Sequence, residues 1–333
     1  MAAPFFAAGL NAVWECISVK ILIVSGFLGA GKTTFIKELV RRSGTRPVIM
    51  ENEYGETDLD ALELDRSLSE QKEMKILEFM EGCVCCTKKD SFVNSVLTVF
   101  SGLDPEYLVI EPTGVGRLSN ILKNLKPILH DRIRLLQPVV VLSPRTYRSN
   151  MAEWPELYRD QIAHAGIVVF SKGEREDPAL LEDTAARIRE INPEAEILTQ
   201  HYSLQPDSWW HRCMELSAKT GDMKDELEGG EEFSQLSLRT ARLDRPAELI
   251  LFLEDCLRGE LGHIVRAKGV LPVGGEMLRF DLADRQYAIT GAEEEKSQCV
   301  IIGTELPRQE LFRRLGTSAE EEALRLSWRG LKQ

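Results

Sequence analysis

Residues 26–33 read Gly26-Phe27-Leu28-Gly29-Ala30-Gly31-Lys32-Thr33, a fit to G-x-x-x-x-G-K-[ST] placed directly after the β-branched run VKILIVS at 19–25 and directly before a helical stretch. A loop of this kind constrains the fold as well as the chemistry. The strand before it has to be buried and parallel, the helix has to open at Lys32, and the backbone N–H groups between have to curl around an anion at that helix N-terminus. Gly26, Gly29 and Gly31, with the small Ala30, leave the backbone free for that approach. Lys32 supplies a point charge to β- and γ-phosphate oxygens, the Thr33 hydroxyl is a ligand for Mg²⁺, and Thr34 follows in the same turn.

The rest of the chain fits a strand–helix alternation. Strands at 47–50, 75–79, 107–110, 138–142, 167–170 and 196–199 alternate with helices at 32–42, 90–100, 118–129 and 178–191, which predicts an α/β fold with a mostly parallel sheet and helices on both faces. The strand YLVI ends at Glu111 and runs into Pro112-Thr113-Gly114. An acidic residue there holds Mg²⁺ or its water, and the Gly114 amide is placed to sense a γ-phosphate.

From about residue 200 the texture changes, through aromatic-rich 202–210 to 222–232, where six of eleven residues are Asp or Glu, as in a solvated linker. Beyond it a smaller α+β domain is expected at about 233–316, with strands at 233–243, 264–272, 276–290 and 298–302 and helices at 246–257 and 307–315. A last helix at 318–329 opens on a capping box of Ser318 and Glu321. The expected division is an extension at 1–18, a nucleotide domain at 19–205, a linker at 206–232 and a C-terminal domain at 233–333.

Charge narrows the ligand classes. With 41 Lys+Arg against 53 Asp+Glu, the net of −12 argues against general attraction to nucleic acid or anionic membrane, so a polyanion has to be caught by a local site. No apolar run reaches a membrane-spanning length. Residues 1–18 are apolar but lack the basic start of a secretory signal, and Val19 reads as the natural first residue, so a cytoplasmic protein is expected.

Seven cysteines stand at 16, 83, 85, 86, 213, 256 and 299, an odd number that fits a reducing compartment and no disulfide framework. Glu81-Gly82-Cys83-Val84-Cys85-Cys86-Thr87 packs three thiols into four positions. Three soft ligands suit Zn²⁺, Cu⁺ or another thiophilic ion, and a set short of the four that close a structural zinc site suits a metal that is picked up and handed on. A redox thiol or a set of small buried residues are the alternatives. Cys16, Cys213, Cys256 and Cys299 are scattered and read as structural.

Taken together, GFLGAGKTT, ENEYGE, EGCVCCT and EPTG resemble the CobW branch of the CobW/HypB/UreG family of metal-handling GTPases. The resemblance continues through Gln161-Ile162-Ala163-His164-Ala165, Phe170-Ser171-Lys172 and Arg266-Ala267-Lys268-Gly269, covering about 19–315. It implies a P-loop NTPase domain of SIMIBI type followed by a CobW-type C-terminal α+β domain. It also implies slow hydrolysis of GTP with Mg²⁺, a CxCC site at Cys83, Cys85 and Cys86 for Zn²⁺ or Co²⁺, and a client metalloenzyme or corrinoid protein, with room for a homodimer. Glu51 and Glu56 flank the family's switch segment, where carboxylates either complete the metal site or orient the attacking water.

Two departures stand out. Ser171-Lys172-Gly173-Glu174 replaces the family's Asn-Lys-x-Asp, although the Lys172 stem can still stack on a purine and Glu174 can still accept from guanine N1–H and N2–H₂. Leu142-Ser143-Pro144 replaces Val-Asp-Ala. The five histidines are scattered, which argues against bulk metal storage. The expected function is a GTP-hydrolysing metallochaperone or metalloenzyme maturation factor. The alternatives are a GTP switch that activates a corrinoid- or cobalt-dependent enzyme without carrying metal, and a P-loop small-molecule kinase.

Overall fold

The computed structural model describes residues 18–51, 76–78, 89–218, 233–294, 296–318 and 320. Glu56, Cys83, Cys85, Cys86, Cys16 and most of the helix expected at 318–329 lie outside these residues. The first part runs β1 (Val19–Ser25), α1 (Lys32–Ser43), β2 (Val48–Glu51), β3 (Ile76–Glu78), α2 (Lys89–Leu103), β4 (Tyr107–Glu111) and α3 (Leu118–Leu125). It continues with β5 (Ile133–Leu135), β6 (Val139–Leu142), α4 (Pro144–Glu153), α5 (Pro155–Ala163), β7 (Ile167–Phe170), α6 (Pro178–Ile191), β8 (Glu196–Leu198) and α7 (Asp207–Cys213).

The described strands of this part form one parallel sheet in the order β3-β2-β4-β1-β6-β7-β8, with β5 also pairing with β1. The continuous apolar runs are explained by burial of both faces. Along β1, Ile21 and Ile23 enter a core with α2, α3, α5 and α6, while Leu22 and Val24 enter a second core with α1 and α7.

The second part holds β9 (Ser234–Leu238), α8 (Pro246–Arg258), β10 (His263–Val273), β11 (Glu276–Ala283), β12 (Gln286–Gly291), β13 (Gln298–Thr304) and α9 (Arg308–Arg314). Its described strands form an antiparallel sheet, β12-β11-β10-β13-β9, with one face covered by Leu249, Phe252 and Leu253 of α8 and Leu311 of α9. From the other face, Val300 and Ile302 join the core of the parallel-sheet part. The fold is therefore a helix-flanked parallel sheet with a C-terminal antiparallel-sheet domain packed against it.

Several expectations about local structure need correction. The strand expected at 276–290 is a hairpin, because Asp284 and Arg285 take left-handed backbone angles (φ 52° and 59°) that close a tight turn without the usual glycine. The helix expected at 118–129 ends at Leu125, with Pro127 in a 3₁₀ turn after it. Two helices, α4 and α5, fill a stretch for which the sequence suggested no element, each opening on a proline that needs no N–H partner there. The first residues of the linker expected at 206–232 form α7, packed into the second core with Trp210 fully buried against Phe35 of α1. Among the described residues no helix is long and apolar enough to cross a membrane.

Candidate functional site

Every element that carries a candidate phosphate or Mg²⁺ residue delivers it at the carboxyl edge of the parallel sheet, where open α/β sheets bind ligands. The loop after β1 turns at Gly26, whose φ is 144°; a Cβ there would stand 2.1 Å from the Val141 carbonyl oxygen, so only glycine fits beside β6. Gly31, also left-handed, stands before the first residue of α1. Lys32 is buried, with Nζ donating to the Phe27 carbonyl at 3.3 Å, which folds the ammonium back over the loop.

Thr33 and Glu111 meet directly. The hydroxyl lies 3.0 and 3.1 Å from the two carboxylate oxygens, so the first turn of α1 is tied to the end of β4. A hydroxyl and a carboxylate are both hard oxygen donors, and this pair fits a Mg²⁺ ion that keeps most of its waters. Glu51, buried at the end of β2, stands in register with Glu111 on one side and with Glu78 of β3 on the other. Three acidic residues thus end three neighbouring strands. Among the described residues no group of three or more His, Cys, Asp or Glu side chains is poised to hold a metal.

The segment after Glu111 lies on the phosphate loop itself. A Cβ on Gly114 would be 2.4 Å from the Leu28 nitrogen, so the two backbones touch and a side chain is excluded. Gln161, buried on α5, donates to the carbonyls of Gly114 and Gly116 at 3.3 and 3.1 Å. Ser171, which stands where the family's motif has Asn, donates from Oγ to the Ala30 carbonyl at 2.6 Å and so braces the loop from β7.

After β7, where the resemblance puts base recognition, Lys172 has a left-handed backbone (φ 54°) and its Nζ bonds Asp284 Oδ2 in the β11–β12 turn at 2.5 Å. Glu174 pairs with His201 at 2.9 Å. Both side chains assigned to the purine are engaged by other groups here.

The structure brings Gly29, Gly31, Lys32, Thr33, Thr34, Glu111, Gly114 and Lys172 to one cleft of about 490 Å³, closed on the far side by the C-terminal sheet. That size suits a small-molecule ligand. Glu174 and Glu51 do not line the cleft. Sequence reasoning missed Lys37, Gln161, Ser171, Arg266 and Asp284 as contributors. Lys37 carried a signal, being four residues after Thr33 and hence on the same helix face; Asp284 carried none.

Comparison with known proteins assigns both parts of the chain to a family. Residues 20–199 match the CobW/HypB/UreG nucleotide-binding domain, and residues 233–318 match the Cobalamin synthesis protein cobW C-terminal domain. The "Zinc chaperone YjiA" of Escherichia coli (strain K12) is 24% identical over 314 residues, covering 88% of this chain and 96% of that protein. The "Zinc chaperone YeiR" of the same strain is 33% identical over 159 residues, covering 47% of each. The "Zinc-regulated GTPase metalloprotein activator 1" of Schizosaccharomyces pombe is 27% identical over 198 residues, covering 57% of this chain and 47% of that protein. The match thus spans nearly all of the first relative and about half the length of the other two. With more than half of its length matched by the nucleotide-binding domain and most of the remainder by the C-terminal one, the chain belongs to the CobW/HypB/UreG family.

Proposed function

We propose that this protein is a GTP-hydrolysing metallochaperone that carries Zn²⁺, or Co²⁺ in its place, on Cys83, Cys85 and Cys86 and couples its release to nucleotide hydrolysis. The observation that carries the reading is the acidic row Glu78, Glu51 and Glu111. Glu78 is the last described residue before the cysteines, and Glu111 bonds Thr33 of the phosphate loop. Glu51 stands between them, so Glu78, which precedes the cysteines in the chain, is two strands away from the carboxylate that bonds the phosphate loop.

In this reading the loop amides from Gly29 to Thr33 and the Lys32 ammonium hold the β- and γ-phosphates. Thr33 and Glu111 hold Mg²⁺, which when bound neutralises charge on the leaving phosphate oxygens. Gly114, pressed on Leu28 and held by Gln161, reports the presence of the γ-phosphate through its amide. Glu51 and Glu56 either complete the metal site or orient water. Lys172 and Glu174 select guanine. Two relatives named as zinc chaperones and one named as a zinc-regulated GTPase metalloprotein activator support the same reading.

The test is the affinity of the full chain for Zn²⁺ and Co²⁺, measured by competition with a chromogenic chelator, with a non-hydrolysable GTP analogue or GDP bound. A nucleotide-dependent difference of at least about tenfold is expected, equivalent to a coupling of about 1.4 kcal/mol. Cys85→Ser with Cys86→Ser should abolish both affinities. Equal affinities in the two nucleotide states remove the coupling, and tight binding by the double variant removes the site.

A further inference from the structure

The far wall of the nucleotide cleft belongs to the C-terminal domain, and one residue on it has no role in the chemistry above. Arg266 opens the RAKG run on β10, and its guanidinium donates to Asp281 Oδ2 on β11 at 3.2 Å. Asp281 and Ala283 are two apart on one strand and so share a face. Opposite them on β12 stand Ala288 and Gln286. All of these residues line the cleft, which fixes that face as the one turned to the phosphate loop.

The spacing across the cleft is set at one point. A Cβ on Gly29, at the crest of the loop, would lie 3.0 Å from the Ala283 Cβ. The pairing of Ala267 with Leu282 puts Arg266 and Ala283 side by side across the β10–β11 ladder. Arg266 therefore enters the cleft one strand spacing, about 5 Å, from a residue in contact with the loop.

Charge agrees with this placement. Lys32, Lys37, Lys172 and Arg266 line the cleft against the carboxylates of Glu111 and Asp281, a positive balance within a chain of net charge −12. Of these cations Arg266 is the one brought by the C-terminal domain, and its planar fork can bridge two phosphate oxygens at once.

We propose that Arg266 is a catalytic residue of GTP hydrolysis, supplied in cis by the C-terminal domain, with Asp281 holding its guanidinium in the cleft. The proposal rests on the GTP reading above. In the reaction a water oxygen bonds to the γ-phosphorus while the bond from that phosphorus to the β–γ bridging oxygen breaks. The electron pair of the broken bond stays on GDP. One proton of the water remains on inorganic phosphate and the other passes to solvent. Charge builds on the bridging and γ oxygens, and a guanidinium at that point stabilises it. Hydrolysis then depends on the C-terminal domain being docked on the loop.

The experiment measures single-turnover GTP hydrolysis with Mg²⁺ by the full chain, by Arg266→Ala and by Arg266→Gln. It also follows GDP binding, formation of the GDP–aluminium fluoride complex, and melting temperature. Gln can keep a hydrogen bond to Asp281, so that variant separates loss of charge from loss of the pair. Both variants should lose about a hundredfold to a thousandfold in rate, lose the aluminium fluoride complex and still bind GDP. Millimolar guanidinium should restore part of the rate of Arg266→Ala. A variant that melts like the wild type and hydrolyses GTP at the wild-type rate, or fails only through a raised KM, overturns the proposal. If the wild-type chain itself does not bind GTP, the nucleotide reading falls and this inference with it; normal wild-type turnover with unaffected variants defeats the inference alone.

Discussion

The Thr33 hydroxyl lies within hydrogen-bonding distance of both oxygens of the Glu111 carboxylate, at 3.0 and 3.1 Å, joining residues 78 apart in the chain. The contact needs β4 beside β1, which the sheet order provides. It also sets two hard oxygen donors at the mouth of the phosphate loop, which would hold a hydrated Mg²⁺ with the hydroxyl still protonated.

Glu111→Gln keeps the shape of this contact and removes its charge. Mg²⁺-dependent GTP hydrolysis should fall by about a hundredfold or more. GDP binding without Mg²⁺ should hardly change. Titration calorimetry with and without Mg²⁺ separates the two, and a variant whose GDP affinity responds to Mg²⁺ as the wild type does would contradict the assignment.

The pair Lys172–Asp284 holds the loop after β7 to the hairpin of the C-terminal domain. A purine stacked on the Lys172 stem has to share or displace that pair, and a partly exposed ion pair is worth about 0.2–1 kcal/mol. Asp284→Ala should therefore tighten binding of a fluorescent guanine nucleotide, by up to about fivefold. Weaker binding would mean that Asp284 supports the nucleotide rather than competing with it.

Gln161 is buried and serves two carbonyls, those of Gly114 and Gly116. In Gln161→Leu both acceptors lose a donor inside the protein, at a cost of about 1–3 kcal/mol each where water cannot reach them. Thermal unfolding should shift down by several degrees, and GTP hydrolysis should slow because the Gly114 amide is no longer held against Leu28. An unchanged melting curve would show that other groups hold this segment.

Burial pushes the thiols of Cys213 and Cys256 up to about 12, from an ordinary 9.0. Thiolate is the reactive form, so neither should be alkylated in the native chain at pH 8, and Cys299, also buried, should be protected by lack of access. The folded state favours the protonated thiols, so their contribution to stability is complete below about pH 9 and is lost as pH rises towards about 12. Mass mapping after iodoacetamide treatment checks the first point, and urea unfolding between pH 8 and pH 10 the second. Modification of Cys213 or Cys256 in the folded protein would contradict both.

Much of the fold was legible because its signals are local. VKILIVS reads as a doubly buried strand, the glycine loop demands a helix at Lys32, and YLVI-Glu111 places a carboxylate at a strand end. Less local features escaped notice. The run from Pro144 to Ala163 is two helices whose burial depends on packing against neighbouring helices and the sheet. The Asp284–Arg285 turn lacks the glycine that marks such turns in sequence. Trp209 and Trp210 looked like the start of a linker, yet they pack in the core with α1.

What the sequence determined by itself is what backbone sterics and side-chain chemistry require over a few residues: a phosphate loop between strand and helix, an acidic strand end, a cysteine triplet and membership in a family. Only the tertiary structure decided which distant groups meet that loop. Gly26 has to be glycine because β6 lies beside β1. Ser171 braces the loop, and Gln161 holds the Gly114 segment that lies on it, because β7 and α5 reach the same edge. Arg266 and Asp284 face it because the C-terminal sheet docks there through Val300 and Ile302. These contacts come from strand order and domain packing, which a window of neighbouring residues does not encode.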